Sequence, residues 1–385
     1  MRVVFQLSRL AYQTGSYRRC HALARGVRQR GHEVTLVVPR AQAGLQPLWQ
    51  EDHGVSVLTI SGVLPARLRT AGVDPADLVA RLLWRLPAEV VVLGSHRPVA
   101  TVPSFWQTQA PVVYDWTDLM GKDGLGRQRR GLVGRLLAWL DERMERWGVQ
   151  QASAVMAITP ALAERAVALG VPWERVLVLP AGVDRELLAP VPREVARARL
   201  RLPRDRPLVL YAGYTTWDLP RVVAVVEQLA QRLPHALIAL LSPLPRGLRR
   251  RLPRGRGLAR VLLREPVSYA EYRWWLAAAD VGLAPYPPTP FNYFRFPNRF
   301  GDFLAAERPL VTNPTGEAGR LLRAYGAAVL VEDDPLALAM GVEQVLQDPT
   351  LAAAVVAGGR ALAQERLDWR LLAAELEQFL SRLVA

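Results

Sequence analysis

Short, almost wholly apolar segments alternate with helix-forming segments along the chain, and this alternation constrains the fold more than any other feature. Examples are EVVVLGSH at 89–96, SAVMAITP at 153–160 and ALIALLSP at 236–243. Strands that are apolar on both faces are typical of parallel sheets covered by helices on each side. Ligand-binding residues in such sheets gather at the carboxyl ends of the strands. The pattern therefore predicts an α/β fold with its functional residues at those ends.

The alternation occurs twice. A polar segment rich in proline and arginine, 185–207, interrupts it, and the pattern restarts with PLVLYAGY at 207–214. A chain of 385 residues is long enough for two domains of ordinary size. We expect two α/β domains of similar size separated by a cleft, with 185–207 as the linker.

Composition limits the classes of protein to consider. One cysteine, Cys20, allows no internal disulfide and no cysteine-based metal site, and the five histidines lack metal-ligand spacing. The opening MRVVFQLSRL has too short an apolar run for a signal peptide, and no stretch is long enough for a transmembrane helix. We expect a cytoplasmic protein that uses neither a metal nor a cofactor. The net charge of +14 favours anionic partners, which include nucleotides, nucleic acids and an acidic membrane surface.

Each of two basic segments has two interpretations: it binds an anionic partner, or it is an ordinary structural element. The helix predicted from Gly126 to about Trp147 carries Leu132, Leu136, Leu140 and Met144 at four-residue spacing among several arginines. Such a helix can lie on an anionic membrane, but an amphipathic helix facing the core is the commoner explanation. The arginine-rich run at 246–264 has no interleaved aromatic residues for base stacking, so we expect a solvated face and no nucleic-acid binding.

The most informative candidates for ligand binding lie in the stretch 285–319, PYPPTPFNYFRFPNRFGDFLAAERPLVTNPTGEAG. A short helix opens at Pro297 or Asn298, and places Arg299 and Asp302 on one face near its N-terminus. Arginine and the helix N-terminus bind an anion, and a carboxylate one turn deeper accepts bonds from a pair of hydroxyls. That combination suits a nucleoside diphosphate. The alternative is an exposed i,i+3 salt bridge with no function.

Polar residues also end two strands of the first half. His96 is the last residue of EVVVLGSH at 89–96, and Asp115 and Asp118 lie in PVVYDWTD at 111–118. They are candidates for catalysis or acceptor contact, or they are ordinary strand-end residues.

Several segments together resemble retaining glycosyltransferases of the GT-B fold, specifically glycosyltransferase family 4 and its close relatives. They are GHEVTLVV, LPAGVDRELLAP, LAAADVGLAPYP and FPNRFGDFLAAERPLVTNPTGE, in the family's order. The resemblance implies two Rossmann-like parallel-sheet domains facing each other across a cleft. We expect an acceptor-side domain at 1–190, a donor-binding domain at 191–365, and a last helix at about 366–385 that packs back on the first domain.

The resemblance also implies roles for individual residues. Family members have a lysine or arginine at the position of Arg299, which binds the donor diphosphate. They have a carboxylate at the position of Asp302, which binds the ribose hydroxyls. The donor-binding residues implied are Gly15, Ser16, Gly213, Tyr214, Asn298, Arg299, Asp302, Thr315, Gly316 and Glu317. His96, Tyr293 and Arg295 are candidates for contact with the acceptor, and Tyr293, Arg295 and Asn292 are candidates for selecting the transferred sugar.

The chain departs from the family pattern at three places. Phe294 stands where a glutamate is common, Tyr214 stands where an arginine is usual with no lysine after it, and Thr117 stands at a histidine position. A subgroup that resembles this chain at these places has acidic residues in a YD-x-x-D run. We therefore nominate Asp118 as the catalytic carboxylate, with Asp115 second.

The resulting expectation is a retaining, metal-independent glycosyltransferase that uses a UDP- or GDP-linked sugar. Its acceptor is a lipid-linked or polysaccharide precursor of the cell envelope, or a small molecule, and peripheral contact with an anionic membrane is compatible with it. The first alternative is a catalytically weak, transferase-like subunit that binds a nucleotide or a partner. The second is a sugar-nucleotide epimerase of the same fold. The sugar, the acceptor and the oligomeric state cannot be predicted from these patterns.

Overall fold

The computed structural model describes residues 1–7, 15–40, 48–61, 85–95, 104–106, 108–129, 131–213, 218–254, 259–265 and 267–385. The chain forms two compact units. The first consists of Met1–Ala181, Tyr293–Phe296 and Trp369–Ala385. The second consists of Gly182–Asn292 and Pro297–Asp368.

The first unit is built on a sheet of eight described strands, in the order β3-β4-β2-β1-β5-β6-β7-β8. All neighbours are parallel except β3 and β4. The strands are β1 Arg2–Leu7, β2 Glu33–Arg40, β3 Leu48–Asp52, β4 Val55–Ser61, β5 Val90–Ser95, β6 Val112–Trp116, β7 Ala154–Ala157 and β8 Val176–Val178. The helices are α1 Gly15–Gln29, α2 Gly131–Gln151, α3 Pro160–Ala168 and, at the end of the chain, α13 Trp369–Val384.

The last helix, α13, is part of the first unit. Its Leu372, Leu376 and Leu380 join the core that α1 forms with the sheet. The two helices approach so closely that a Cβ on Gly26 would stand 2.3 Å from the Cβ of Ala373. Glycine at this position therefore permits the contact that holds the end of the chain on the first unit.

The second unit has a wholly parallel sheet in the order β11-β10-β9-β12-β13-β14. The order has the 3-2-1-4-5-6 pattern of dinucleotide-binding folds, whose ligands bind where the strand order reverses, here between β9 and β12. The strands are β9 Leu208–Ala212, β10 Leu237–Leu241, β11 Arg260–Arg264, β12 Val281–Ala284, β13 Leu310–Thr312 and β14 Val329–Leu330. The described helices of this part of the chain are α4 Arg193–Leu200, α5 Leu219–Arg232, α6 Arg246–Arg251, α7 Tyr269–Ala278, α8 Pro290–Phe294, α9 Asn298–Ala305, α10 Gly316–Ala324, α11 Pro335–Gln347 and α12 Pro349–Glu365. The last two residues of α8 belong to the first unit.

The segment predicted as a linker, 185–207, is instead an integral part of the second unit. It contains α4, whose Arg197 is fully buried and donates to Asp280. Asp280 also accepts from Arg193 and from the backbone N–H of Leu208 at the start of β9. The other bonds of the Arg197 guanidinium go to four carbonyl oxygens, those of Ala278, Pro203, Arg204 and Arg206. The linker prediction was wrong because Arg197 of this polar segment forms a buried hydrogen-bond network, whereas the arginines of a linker would lie in solvent.

The basic helix of the first unit also differs from the prediction. It begins at Gly131, after a short 3₁₀ turn at Leu125–Gln128. The face buried on the unit consists of Ala138, Asp141, Glu145, Gly148 and Val149. Leu132 and Leu136, which were predicted to face the core, are exposed. The core-facing interpretation is wrong for this half of the helix because the buried face is made of small and acidic residues. None of the helices in the described part of the chain combines the length and apolarity that crossing a bilayer requires.

Candidate functional site

Helix α9 lies at the switch point of the second sheet and carries two of the predicted site residues. It begins at Asn298, after Pro297, whose backbone is extended. Phe300, Phe303 and Leu304 are buried and anchor the helix. A Cβ on Gly282 of β12 would stand 2.6 Å from the ring of Phe303, so glycine allows the helix to pack directly on the strand. This packing fixes where the first turn of α9 points.

Arg299 is almost completely buried, with 10% of its side chain exposed. Its Nη2 lies 3.4 Å from Oδ2 of Asp218, and its guanidinium carbon lies 5.4 Å from the ring centre of Tyr211. Its Nη1 is buried and has no hydrogen-bond partner among the described residues. A buried donor that lacks an acceptor is costly, unless a ligand oxygen supplies the bond.

The electrostatics keep Arg299 charged. Burial by itself lowers the pKa of this guanidinium, but the neighbouring oxygens of Tyr211 and Asp218 raise it further than burial lowers it. The net effect is a pKa above the usual value. The site therefore presents a permanent positive charge, at low dielectric, with one donor available to an anion.

Gly213 follows β9 and lies against the same guanidinium. A Cβ at this position would stand 2.6 Å from the hydroxyl of Tyr211 and 3.2 Å from Nη1 of Arg299. The structure thus brings predicted residue Gly213 next to Arg299, at a position where any larger residue would crowd the guanidinium. Tyr214 lies outside the described residues.

Asp302, one turn after Arg299, is also buried, at 7% exposure. Its Oδ1 accepts a hydrogen bond of 3.1 Å from the hydroxyl of Tyr269, the first residue of α7. The alternative of an exposed Arg299–Asp302 salt bridge is therefore wrong, since both side chains are buried and each has a partner from another element. Asp302 can accept from hydroxyl groups, as Tyr269 already demonstrates.

The loop after β13 is fastened to the end of β12 by side chains. Thr312 Oγ1 donates to the Ala284 carbonyl at 2.6 Å, and Thr315 Oγ1 donates to the Tyr286 carbonyl at 2.6 Å. Asn313 accepts from the backbone N–H of Tyr286 at 2.8 Å. The hydroxyl proton of Thr315, a predicted donor-binding residue, is thus committed to holding the loop.

Helix α10 begins directly after this loop. Gly316 has a φ of 59°, a left-handed conformation that favours glycine, and Thr315 gives the helix no side-chain cap. The carboxylate of Glu317 is bound by both ends of the Arg320 fork, at 2.7 Å each. Because no side chain caps α10, its first-turn N–H groups are suited to bind an anion.

The segment after β12 divides between the two units. Asn292 is buried in the second unit, donates from Nδ2 to the Pro287 carbonyl, and leaves its Oδ1 without a partner among the described residues. Tyr293 is exposed and Arg295 is buried, and both belong to the first unit. His96, the third predicted acceptor contact, lies outside the described residues.

In the first unit, Asp115 is engaged in a buried ion pair that the sequence analysis did not foresee. Arg19 of α1 binds its two oxygens through Nε and Nη2, with distances of 3.0 to 3.2 Å. Arg19 also donates to the carbonyls of Leu179 and Pro180. This network connects α1, β6 and the segment after β8. Gly15 and Ser16, predicted on the donor side, form the first turn of the same helix α1.

Asp118 follows β6 and is half-buried, in contrast to Asp115. The loop that carries it is held by Glu145 of α2, which is buried. Glu145 accepts from Nε1 of Trp116 at 2.8 Å and from the backbone N–H of Met120 at 3.0 Å. These bonds hold the side chain of Trp116 before Asp118 and the backbone of Met120 after it.

The structure adds residues that sequence reasoning missed. Asp218 and Tyr269 position Arg299 and Asp302, and Arg19 and Glu145 position Asp115 and the Asp118 loop. The only signal for Asp218 was its place at the start of a helix that follows a strand. Within the described residues, no cluster of three or more histidine, cysteine or acidic side chains could hold a metal ion.

Each of the two domains matches a family of known proteins. The family "Glycosyl transferase 4-like domain" matches residues 14–182, and the family "Glycosyl transferase-like" matches residues 221–378. A D-inositol 3-phosphate glycosyltransferase of Xylanimonas cellulosilytica is 31% identical over 236 residues, which cover 57% of this chain and 55% of that protein. The chain thus spans about half the length of the curated relatives it matches.

Solved structures match over the full length. Sucrose-phosphate synthase from Thermosynechococcus elongatus superposes with a TM-score of 0.75 at 17% identity, covering 100% of this chain and 99% of that one. HepE of Anabaena, solved in complex with UDP and glucose, superposes with a TM-score of 0.73 at 16% identity. The match covers 99% of this chain and 100% of HepE. The first domain therefore matches a glycosyltransferase 4-like family and the second a glycosyltransferase-like family, and the chain has the fold of the GT-B glycosyltransferases among these solved structures. The predicted fold class and family are confirmed.

The buried carboxyl group of Glu145 leads to a prediction about how the stability of the protein depends on pH. Burial raises the pKa of Glu145 from 4.5 to about 8, although its bonds to Trp116 and Met120 oppose the shift. A carboxyl whose pKa is raised on folding contributes stability that is complete below its unfolded pKa and is lost as the pH rises through its folded pKa. We expect Glu145→Gln, which keeps the acceptor oxygen, to remove a pH slope of up to about 1.4 kcal/mol per unit between about pH 5 and 8.

Urea unfolding at a series of pH values measures this. The wild-type midpoint should fall more steeply toward alkaline pH than that of Glu145→Gln. Equal slopes for the two proteins would show that Glu145 ionises as easily in the folded state as in the unfolded one.

Proposed function

We propose that the chain is a nucleotide-sugar-dependent glycosyltransferase that binds the diphosphate of its donor at Arg299. The observation that carries the proposal is the buried guanidinium of Arg299, whose Nη1 lacks an acceptor beside Gly213. A phosphate oxygen would complete its bonds, and the N-terminus of α10 would bind another. The family match and the Anabaena relative's complex with UDP support this choice of ligand.

In this proposal the nucleoside extends from the phosphates toward Asp302. A ribose has two adjacent hydroxyls, and the buried Asp302 carboxylate can accept from them as it accepts from Tyr269. A hydroxyl-binding group one helical turn from a phosphate-binding group matches the spacing within a nucleoside diphosphate. UDP is the first nucleotide to test, followed by GDP.

The proposed reaction breaks the bond between the anomeric carbon and the diphosphate oxygen, and forms a bond from that carbon to an acceptor hydroxyl oxygen. Charge then builds up on the leaving diphosphate. Arg299 and the backbone N–H groups of α10 offset that charge without needing a metal, since they are fixed before the reaction starts. Retention of the anomeric configuration and a lipid-linked or polysaccharide acceptor are part of this proposal by family resemblance.

We assign the catalytic carboxylate to Asp118, which would take the proton of the acceptor hydroxyl. Asp115, the second nominee, already has both oxygens bound to Arg19 within the core, so we assign it a structural role. Asp118 is half-buried in a loop that Glu145 holds in place. These features suit a group that must meet a substrate in one orientation.

Thermal shift measurements test the donor site. Saturating nucleoside diphosphate should raise the melting temperature of the wild type by several degrees. Arg299→Ala removes charge-assisted hydrogen bonds, which are each worth about 1.5–3 kcal/mol, so affinity should fall tenfold or more. Arg299→Lys keeps the positive charge but loses the planar guanidinium, so its affinity should lie between those of the wild type and Arg299→Ala.

Arg323→Ala, an exposed arginine of α10, is the matched control and should respond to UDP as the wild type does. An equal shift in Arg299→Ala and wild type would reject Arg299 as the diphosphate ligand. No shift of the wild type with UDP, GDP or ADP would instead support the alternative of a transferase-like subunit that binds another partner.

Turnover tests the assignment of Asp118. In Asp118→Asn, release of nucleoside diphosphate from the bound nucleotide sugar should slow by about a hundredfold or more, because the proton acceptor is lost. The melting-temperature shift with UDP should stay as in the wild type. Asp123→Asn, an exposed carboxylate of the same loop, serves as control. Undiminished turnover in Asp118→Asn would refute its catalytic role.

A further inference from the structure

The outer face of α2 groups large apolar side chains that remain exposed. Leu132 is 79% exposed, Leu136 62% and Trp139 53%, and Val133 and Leu137 beside them are exposed as well. They occupy the N-terminal half of the helix and lie opposite the small and acidic residues that bury its other face. Isolated exposed apolar residues are ordinary, but a contiguous group marks an interaction surface.

The acidic and the basic side chains of α2 lie on different faces of the helix. Asp141 is bound to Arg129, and Glu142 accepts from the backbone N–H of Lys122 at 3.4 Å. Glu145 is buried. The three acidic residues of the helix are therefore turned toward the body of the first unit, and none of them contributes negative charge to the outer face.

The outer face carries positive charge instead. Arg135, Arg143 and Arg146 are exposed on α2. The guanidinium of Arg143 lies 5.1 Å from the ring centre of Trp139. A tryptophan combined with arginine is suited to the boundary between lipid headgroups and acyl chains, where the ring is half-immersed and the cation meets phosphate.

We propose that this outer face of α2 binds the surface of an anionic phospholipid bilayer, with the helix lying in the plane of the interface. The aliphatic side chains would enter the acyl boundary, while the arginines would bind headgroup phosphates. Charge favours this occupant over a second copy of the chain. A two-fold contact through the same face would bring Arg135 and Arg143 of one copy toward those of the other, with no carboxylate of α2 to compensate.

The inference rests on the first unit alone and is independent of the donor chemistry proposed for Arg299. A protein attached in this way would present its first domain to an acceptor held in the same bilayer. Nucleotide binding measured in solution should therefore be the same with and without the outer face.

Flotation of the full chain with vesicles tests the proposal. The wild type should bind vesicles of phosphatidylglycerol and phosphatidylcholine in equal parts, and should bind phosphatidylcholine vesicles weakly. Leu132→Ser combined with Leu136→Ser should reduce binding to the anionic vesicles by about tenfold or more. Arg135→Glu combined with Arg143→Glu should abolish the preference for anionic vesicles, and salt should weaken wild-type binding.

Leu336→Ser combined with Met340→Ser, two exposed residues of α11 in the second unit, is the control and should float with the vesicles as the wild type does. All substituted positions are exposed, so the melting temperature and the shift with UDP should remain unchanged. Failure of the wild type to bind anionic vesicles would overturn the proposal. A wild-type dimer in sedimentation velocity that both α2 variants dissociate would also overturn it, since the face would then join two copies.

Discussion

The burial of one guanidinium, that of Arg299, is the constraint around which the second domain is arranged. Such a charge is stable in the interior only with compensating groups, and the structure supplies Asp218 and Tyr211 around it. Gly213 lies against Nη1, the nitrogen that has no partner among the described residues. An arginine that served only stability would have a partner for every guanidinium nitrogen, as Arg197 has. The contrast between these two arginines is the physical basis for assigning Arg299 to a ligand.

The two domains use buried polar groups in a similar way at the carboxyl ends of their strands. In the first domain, Arg19 and Asp115 join three elements, and Glu145 fixes the loop after β6. In the second, Thr312 and Thr315 fasten the loop after β13 to the end of β12. Loops that follow parallel strands carry function, and their geometry is reliable only when such bonds hold them. The rigid parts of the site are thus distinct from the groups that meet substrate.

Much of the architecture could be predicted from the sequence. The alternation of apolar strands and helices identified both sheets, and the predicted start of α9 at Pro297 or Asn298 agrees with the helix that begins at Asn298, although Asn298 does not cap it. The local pattern also placed Arg299 and Asp302 one turn apart. These features depend on interactions within a few residues, which a sequence displays directly.

The errors arose where distant residues decide the outcome. Arg197 appeared to be solvated in a linker, yet its partners come from residues up to Asp280, far along the chain. The apolar residues of α2 appeared to face the core, but the side that packs is the one with Glu145 and Asp141, whose partners precede the helix. Asp115 pairs with Arg19, which lies 96 positions away in the sequence. Pairings of this kind depend on tertiary packing and leave little trace in periodicity.

A structure of the protein with UDP bound is the measurement that tests the central claim most directly. The account predicts a phosphate oxygen within hydrogen-bond distance of Nη1 of Arg299, next to Gly213, with the ribose hydroxyls at the carboxylate of Asp302. A diphosphate bound elsewhere, with Nη1 of Arg299 still lacking an acceptor, would contradict it.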